Sequence, residues 1–597
     1  MRFRLNKIIF SLLFVFSTSS LATTYIISST GNDNNNGTTI TTPLKTISAG
    51  INKAVAGDII QVRNGIYNEK INIWKSGTSS SPITIINYNN ESPIIDGNNQ
   101  TTGDWQNLIT VTGNYIYIIG FEIRNMNLTG VKAGGYNVYV SGSNVKFSKC
   151  NIHDSWEQGV VFNGNYNILE YSKVSKSGLS VKPKVPGWPT MWPNGVIVAA
   201  LHGSTSIPTG SVIQYNDIYE NYGEGLDIMK ASNVKVYKNT IHDNMAVNLY
   251  VDDSNDVLVD SNLVYATNIS DQLFGIPARG LGISNEYTVN PKGLTNITII
   301  NNIVLGTAYP FVYFTGGGIN QFKDSLIANN LFMNGRGGRG GGPNTIAFNG
   351  SGVSNVQFRN NIAIQEDSTP IFIGSTLGYI LSNNIWSKSP GITLGSGDII
   401  ADPKISKTGT ANTIAWFTPG TGSPAIDKAL KLIQVPVDIN GKTRSATPTI
   451  GPIEISSSTP VTPVTPSLSL NKIVTSSSDE STSLLAKNVV DGILNTRWSS
   501  QFSDPQWISI DLGAWYSLNK ISLQWEAAAA KEYKIQGSID NINWFDLYNV
   551  TNGIGGTEEY SINGVARYVK INGVKRITPY GYSLWEISIY GTIFSCK

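Results

Sequence analysis

Two stretches of the chain match almost position for position: Asn144-Val-Lys-Phe-Ser-Lys-Cys-Asn-Ile-His153-Asp and Asn233-Val-Lys-Val-Tyr-Lys-Asn-Thr-Ile-His242-Asp. Weaker copies begin near Asn167, Ser211, Asn255, Asn296, Asn355 and Tyr379. Aligned, they share a column of small polar residues: Cys150, Ser172, Asn216, Asn239, Asn262, Asn302, Asn330, Asn361 and Asn384. Its steps are 22, 44, 23, 23, 40, 28, 31 and 23 residues, a base period of 22–23 lengthened by insertions. A unit this short cannot bury an apolar face alone, so units stack on one another. Each holds short alternating apolar stretches, with Val234, Val236, Leu249 and Val251 inward. The unit therefore reads as one coil of a β-solenoid, with rungs about 4.8 Å apart. The polar column falls at one turn, where Asn side chains can hydrogen-bond from rung to rung. A β-sandwich offers no reason for one residue type at the same turn of every unit.

Composition agrees with an all-β chain. Only 14% of the 597 residues are charged, against ~25% in ordinary domains. The 13 Trp and 27 Tyr exclude a disordered chain. Three of the 43 basic residues lie in the first seven positions, which leaves 40 against 41 acids. No basic tract is interleaved with aromatics, so nucleic acid is not an expected partner. Two Cys exclude a disulfide scaffold, and Cys150 and Cys596 read as free thiols. Arg2, Arg4 and Lys7, the apolar run Ile8 to Phe16 and Ser20-Leu-Ala22 read as a signal peptide over residues 1–22. That run is short of the ~20 residues a membrane span needs. A secreted protein, extracellular or periplasmic and monomeric, is expected.

The solenoid is assigned residues 23–455. Ile47, Ile51 and Ala54 are spaced for one face of a short helix, fit to cap the open end of the core. Ser456 to Leu468 is a Pro/Ser/Thr linker (456–468), and residues 469–594 carry strand-like runs of a β-sandwich.

Gly31-Asn-Asp33, Pro43-Leu-Lys-Thr-Ile47, Gly57-Asp-Ile-Ile-Gln-Val62, Gly65-Ile-Tyr67 and Pro93-Ile-Ile-Asp-Gly97 resemble the opening of secreted right-handed parallel β-helix proteins, polysaccharide lyases among them. Gly422-Ser-Pro-Ala-Ile-Asp427, with Asp438 to Gly451, resembles their closing segment. Asn488-Val-Val-Asp-Gly-Ile-Leu-Asn-Thr-Arg-Trp498, Asp511-Leu-Gly513, Ser538-Ile-Asp-Asn-Ile-Asn-Trp544 and Tyr580-Gly-Tyr-Ser-Leu-Trp-Glu-Ile587 resemble coagulation factor 5/8 type C (discoidin-like) modules. The resemblances imply a right-handed parallel β-helix followed by a discoidin-like jelly roll that binds carbohydrate. They also imply a structural Ca²⁺ in the module, held by Asp491, Thr496 and Glu586. Trp498 and Trp544 are assigned to the module's core, and Trp525, beside Glu526, to a sugar-stacking surface.

His153, Ser175, Tyr219, His242 and Tyr265 share one column, so the two histidines stand three rungs apart and read as turn residues. The strand after them concentrates charge. Gly225-Leu-Asp-Ile-Met-Lys230 aligns with Asn248-Leu-Tyr-Val-Asp-Asp253 and with Gly280-Leu-Gly-Ile-Ser-Asn-Glu286. Outward positions set Asp227 against Tyr250, Met229 against Asp252 and Lys230 against Asp253, with His202, Glu224 and Glu286 at the ends. Insertions bearing Trp188 and Trp192, and Phe274 and Arg279, flank the strand as groove walls that could stack on sugars.

Two reactions suit such a cluster. In β-elimination on a uronate polymer, Asp227, Asp252, Asp253 and Glu286 would hold a possible second Ca²⁺, Lys230 would be the base and Arg279 would stabilise the enolate charge. His202 is a further candidate catalytic group, and Tyr250 and Glu286 are candidate substrate contacts. In glycoside hydrolysis two of the same carboxylates act as acid and base. A C5-epimerase would share the proton abstraction, and a non-enzymatic glycan-binding adhesin is the alternative from another class. The reading is a secreted polysaccharide lyase with a carbohydrate-binding module and a polysaccharide as its partner.

Overall fold

The computed structural model describes residues 22–97, 106–126, 134–179, 193–201, 206–286, 293–316, 321–338, 342–408, 410–455, 467–492 and 496–593. The leader (to residue 21), most of the linker, His202, Trp188, Trp192 and Cys596 lie outside them. The chain divides into two compact units, Met1–Ser458 and Thr459–Lys597.

The first unit is a parallel β-helix. Each full coil contributes one strand to each of three parallel sheets, of 14, 13 and 11 strands among the described residues. One coil runs Lys235–Tyr237, Thr240–His242 and Val247–Asp252, in the first, second and third sheets respectively. Inward residues stack in register: Val236 pairs with Ile213 and Val259, and Val251 with Ile228 and Ile283. All of these are fully buried. The capping helix is Ile47–Lys53, with Thr46 Oγ1 accepting from Ala49 N–H at 3.1 Å and Ile47, Ile51 and Ala54 buried.

The polar column sits at the turn between the first and second sheets. Each member follows a non-glycine residue in the left-handed region, such as Lys238 (φ 55°), Ser261 (φ 58°) and Asn301 (φ 57°). That conformation costs roughly 1–2 kcal/mol per residue. The ladder offsets it. Asn262 Oδ1 accepts from both the backbone N–H and the Nδ2 of Asn239 at 3.0 Å, and its own Nδ2 donates to Asn302 Oδ1 at 2.9 Å. The pattern continues through Asn330 and Asn361 and ends on Asp398, which accepts from Asn384 N–H at 2.8 Å.

Asn262→Ala should therefore leave the buried backbone N–H of Asn239 without an acceptor and remove the donor that Asn302 Oδ1 and Val236 O receive, while Asn239 Nδ2 keeps Ile213 O and Tyr237 O. At about 1–3 kcal/mol for each unmade bond, an overall loss of about 3–5 kcal/mol is expected. The urea-unfolding midpoint of the full chain checks this, and a loss below about 1 kcal/mol would remove the ladder as a main support.

The later coils carry paired asparagines: Asn301-Asn302, Asn329-Asn330, Asn360-Asn361 and Asn383-Asn384. The second of each pair joins the ladder. The first points out and binds the closing segment. Asn360 Nδ2 donates to Leu430 O at 2.9 Å, Asn383 Nδ2 to Lys428 O at 3.0 Å, and Asn301 Oδ1 accepts from Arg444 Nη2 at 2.7 Å.

A second ladder fills the turn between the second and third sheets. Asn221 Nδ2 donates to Asn244 Oδ1 at 2.8 Å, and Asn244 Nδ2 to Asn248 Oδ1 at 2.9 Å. It packs beneath Gly195 and Gly225, where a Cβ would lie 2.6 Å and 2.5 Å from the amide nitrogens of Asn221 and Asn244. Asn248 takes the place of that glycine in its own coil and supplies the ladder side chain itself.

The second unit is an antiparallel β-sandwich. Its seven-stranded sheet includes the long strands Gln506–Trp525 and Thr557–Arg576. Trp498, Tyr533, Ile571 and Tyr582 are in its core. Two expectations are corrected here. Trp525 is buried at 4% exposure, because strand alternation places it on the same inner face as Ile521 and Leu523. It meets Tyr533 edge-on at 5.3 Å and offers no face to a sugar. Trp544 is half-buried rather than in the core, with Lys570 Nζ 3.8 Å from its ring centroid.

Candidate functional site

The charged cluster lies on the outer face of the third sheet. Leu226 and Ile228 alternate inward, so Asp227 and Met229 face out. Parallel register sets Asp227 beside Tyr250, and Met229 beside Asp252 and then Ser284. The two strands end together: Lys230 N–H donates to Asp252 O and Asp253 N–H to Ser284 O, both at 3.0 Å. Lys230 and Asp253 both turn in the left-handed region, with φ of 52° and 47°. Asn285 Nδ2 fixes Asp253 by donating to its Oδ1 at 3.0 Å.

These carboxylates are on the outer face yet inaccessible. Asp227 is 5% exposed, and Asp252 and Asp253 are each 1% exposed. Asp227 Oδ1 and Asp252 Oδ1 are buried without a hydrogen-bond partner. Burial pushes the Asp227 carboxyl well above the usual range, and the charges of Glu224, Asp252 and Glu286 add to it. Burial, with the charges of Asp253 and Glu286, lifts Asp252 to about 9. Lys230 acts the other way on both. Partial burial also raises Glu286, at the exposed end of its strand.

An aromatic wall bounds the cluster. The Tyr250 ring lies parallel to that of Phe314 at 5.9 Å. Gly282 leaves room for this, since a Cβ there would lie 3.3 Å from Tyr250. Arg279 Cζ sits 4.4 Å over the Phe314 ring, and burial lowers its pKa. Tyr250 thus has one ring face against Phe314 and is 5% exposed, so it offers no open stacking surface to a sugar.

The structure therefore brings together Asp227, Lys230, Tyr250, Asp252, Asp253, Arg279 and Glu286. Phe314 and Ser284 complete the patch. Both were missed because neither carries charge. Among the described residues, no group of three or more His, Cys, Asp or Glu side chains is placed to share a metal ion. The paired unpartnered oxygens of Asp227 and Asp252 nevertheless suit a cation, whose charge would relieve their mutual repulsion.

The histidine column is real but sits on strands of the second sheet, not in turns. His242 is stacked between Tyr219 at 5.2 Å and Tyr265 at 4.6 Å. Its Nδ1 meets Asp243 Oδ2 at 2.9 Å and its Nε2 meets Asp217 Oδ1 at 3.3 Å.

In the module, Thr496 Oγ1 donates to both Asp491 oxygens at 3.0 Å and 2.8 Å. Glu586 is buried nearby, and its Oε2 has no partner. Burial, with the Asp491 charge, lifts Glu586 to about 8. Two facing acids with an unmatched buried oxygen fit a hard cation. At one loop end, Phe502 and Tyr580 are 51% and 63% exposed and pack edge-to-face at 5.9 Å. Among the described residues no helix is long and apolar enough to cross a membrane.

Residues 25–262 match the family model described as a Pel9A-like, right handed beta helix region. Residues 194–335 match the general right handed beta helix region, and residues 488–571 match a NedA-like, galactose-binding domain of F5/F8 type C. The uncharacterized protein YwoF of Bacillus subtilis (strain 168) is 26% identical over 397 residues, 61% of this chain and 80% of that protein. The pectate lyase PEL9 of Emericella nidulans is 31% identical over 159 residues, 25% of this chain and 38% of that enzyme. Chitosan-binding module 1 of a chitosanase/glucanase from Paenibacillus sp. IK-5 is 44% identical over 21% of this chain and 98% of that module, with a TM-score of 0.21. The β-helix unit thus carries a Pel9A-like right-handed β-helix region over residues 25–262, and the second unit carries a match to the F5/F8 type C domain over residues 488–571.

Proposed function

We propose that the chain is an exported enzyme that cleaves an acidic, uronate-bearing polysaccharide by β-elimination. One observation carries the reading: two buried carboxylates on adjacent rungs, Asp227 and Asp252, each with an unpartnered oxygen and each under the influence of Lys230. The 31% identity to a pectate lyase over a quarter of the chain supports the same reaction class.

Asp227 and Asp252, with their unpartnered oxygens, are the two carboxylates that would hold Ca²⁺, which when bound would neutralise a uronate carboxylate and so acidify the adjacent C–H. With the acids neutralised by the cation, the neutral amine of Lys230 would take that proton. The electron pair left behind forms the new C=C bond as the glycosidic oxygen departs from the neighbouring carbon. Arg279, braced on Phe314, stabilises the negative charge that builds on the uronate carboxylate. The module, with its own Ca²⁺ on Asp491, Thr496 and Glu586, binds sugar at the Phe502 and Tyr580 loops. It raises the local substrate concentration without altering the chemistry.

A second reading follows from the Asp252 carboxyl, which burial and its acidic neighbours keep protonated at neutral pH in the absence of a cation. A neutral carboxylic acid beside Glu286 is what a glycoside hydrolase uses as acid and base.

The test is ultraviolet absorbance of unsaturated uronides from pectate, alginate and glycosaminoglycans, each with Ca²⁺ and with chelator. Absorbance should rise on one polymer and vanish with chelator, and Phe502→Ala should weaken retention on the insoluble substrate. A flat trace on all three polymers refutes β-elimination on them. New reducing ends on neutral glycans would then favour the hydrolase, and none at all the adhesin.

A further inference from the structure

We propose that the β-helix carries a separate carbohydrate site, for a neutral pyranose unit, in the cleft between the outer turns of the last coils and the closing segment. The cleft is about 560 Å³, within the range of small-molecule sites. Asn334, Arg336, Gln365, Glu366, Asp367 and Trp416 supply its polar and aromatic lining. None of them belongs to the acid cluster on the third sheet, so the inference does not depend on the reaction proposed there.

The Trp416 ring is held from behind. It sits in the short helix Ile414–Phe417 and meets Phe417 edge-on at 4.9 Å, with Phe417 itself buried. Trp416 is half-buried and borders the cleft, as a stacking platform for the apolar face of a sugar would.

The polar wall is rigid before any ligand arrives. Asn334 Oδ1 accepts from Glu366 N–H at 3.0 Å, and its Nδ2 donates to Glu366 Oε2 at 2.8 Å, which locks two successive turns together. Gln365 is buried at 3% exposure. Its Oε1 accepts from Gly335 N–H at 3.0 Å, and its Nε2 donates to Gly335 O at 3.1 Å and to Asp367 Oδ1 at 2.9 Å. Asp367 Oδ1 also accepts from Thr369 N–H at 2.9 Å. A pre-set rim of this kind loses little freedom on binding hydroxyls.

The charges select the sugar. Glu366 pairs with Lys407, and Arg336 with Asp271, so both cations are already matched. Burial opposes ionisation of Glu366, but Lys407 outweighs it and holds the carboxyl below the usual range. The amide of Gln365 does the same for Asp367. Both acids are therefore ionised at neutral pH and would repel a uronate, whereas neutral hydroxyls can donate to them.

The full chain, labelled with 5-fluorotryptophan, tests this directly. Its 13 tryptophans give one fluorine resonance each, and Trp416→Phe assigns that of Trp416 by its loss. The probes are neutral oligosaccharides of galactose, glucose and xylose, with oligogalacturonate as the anionic contrast. The Trp416 resonance should shift saturably with a neutral probe and not with oligogalacturonate. Asp367→Ala, with the other resonances unmoved as the control for folding, should weaken that binding about tenfold. A Trp416 resonance unmoved by millimolar concentrations of every neutral probe overturns the site, whatever happens at the module or the acid cluster. A response to oligogalacturonate alone, or an unchanged titration in Asp367→Ala, overturns the assignment to a neutral sugar held by this rim.

Discussion

Lys230→Ala is expected to lower kcat on a uronate polymer about 10³-fold with little change in KM, since removal of a positioned base costs 10²–10⁴-fold. The substitution is sterically mild. Lys230 already holds φ at 52°, and alanine keeps the Cβ, so it adds no new backbone strain. The side chain is half-buried and does not belong to the packed interior. Asp252→Asn is the companion variant. It preserves shape and removes one charge from the pair that would hold the cation, so it should raise the Ca²⁺ concentration needed for half-maximal rate. Steady-state kinetics by absorbance reads both. A Lys230→Ala enzyme within a few-fold of wild type, with Asp252→Asn strongly impaired, would place the base on another residue. Two fully active variants would reduce the cluster to a structural face of the solenoid.

The second large effect concerns stability against pH. Burial depresses the His242 imidazolium, but its bonds to Asp217 and Asp243 outweigh that and raise it to about 9. In the unfolded chain the ordinary value is about 6.5. A raised histidine stabilises the fold fully below pH ~6.5, and the contribution fades as pH rises towards 9. The difference corresponds to about 3 kcal/mol. Asp243 is shifted downwards, so its contribution fades only on acidification, outside this window. Several buried acids with raised values also destabilise the fold as pH rises, so the comparison has to be between variants. His242→Gln should cost about 3 kcal/mol near pH 6 and much less near pH 9.5. Denaturant unfolding at the two pH values measures this. The ring resonances give an independent check, because the chain has only three histidines. One should titrate near 9, and three titrating near 6.5 would refute the bridge.

Much of this architecture is periodic, and periodicity is readable residue by residue. The column from Cys150 to Asn384 located one turn in every coil, because the side chain that satisfies the next rung has to recur at the same place. The pairing of Asp227 with Tyr250 and of Met229 with Asp252 followed from the same alignment, since parallel rungs stack without offset. Even the burial of Trp525 was legible in the alternation Ile521-Ser-Leu-Gln-Trp525, which outweighs the attraction of an aromatic beside an acid. The paired asparagines and the glycine ahead of each third-sheet strand were also on view. Their purpose was not, because their partners lie far along the chain: Leu430 for Asn360, and Asn221 for Gly195.

By itself, then, the sequence determined the coil, its register and the identity of the charged face, all set by local alternation and a repeat of 22–23 residues. Only the tertiary structure decided which outward residues are hidden from water. Asp227 and Asp252 alternate outward like any solvent-facing acid, yet they are covered, crowded by acids from neighbouring rungs and pushed towards protonation. His242 is driven the opposite way by two aspartates on its flanks. The Trp416 cleft exists because the closing segment folds back beside turns some 50–110 residues earlier. Burial and electrostatic coupling are sums over neighbours in space, and no pattern along the chain contains those sums.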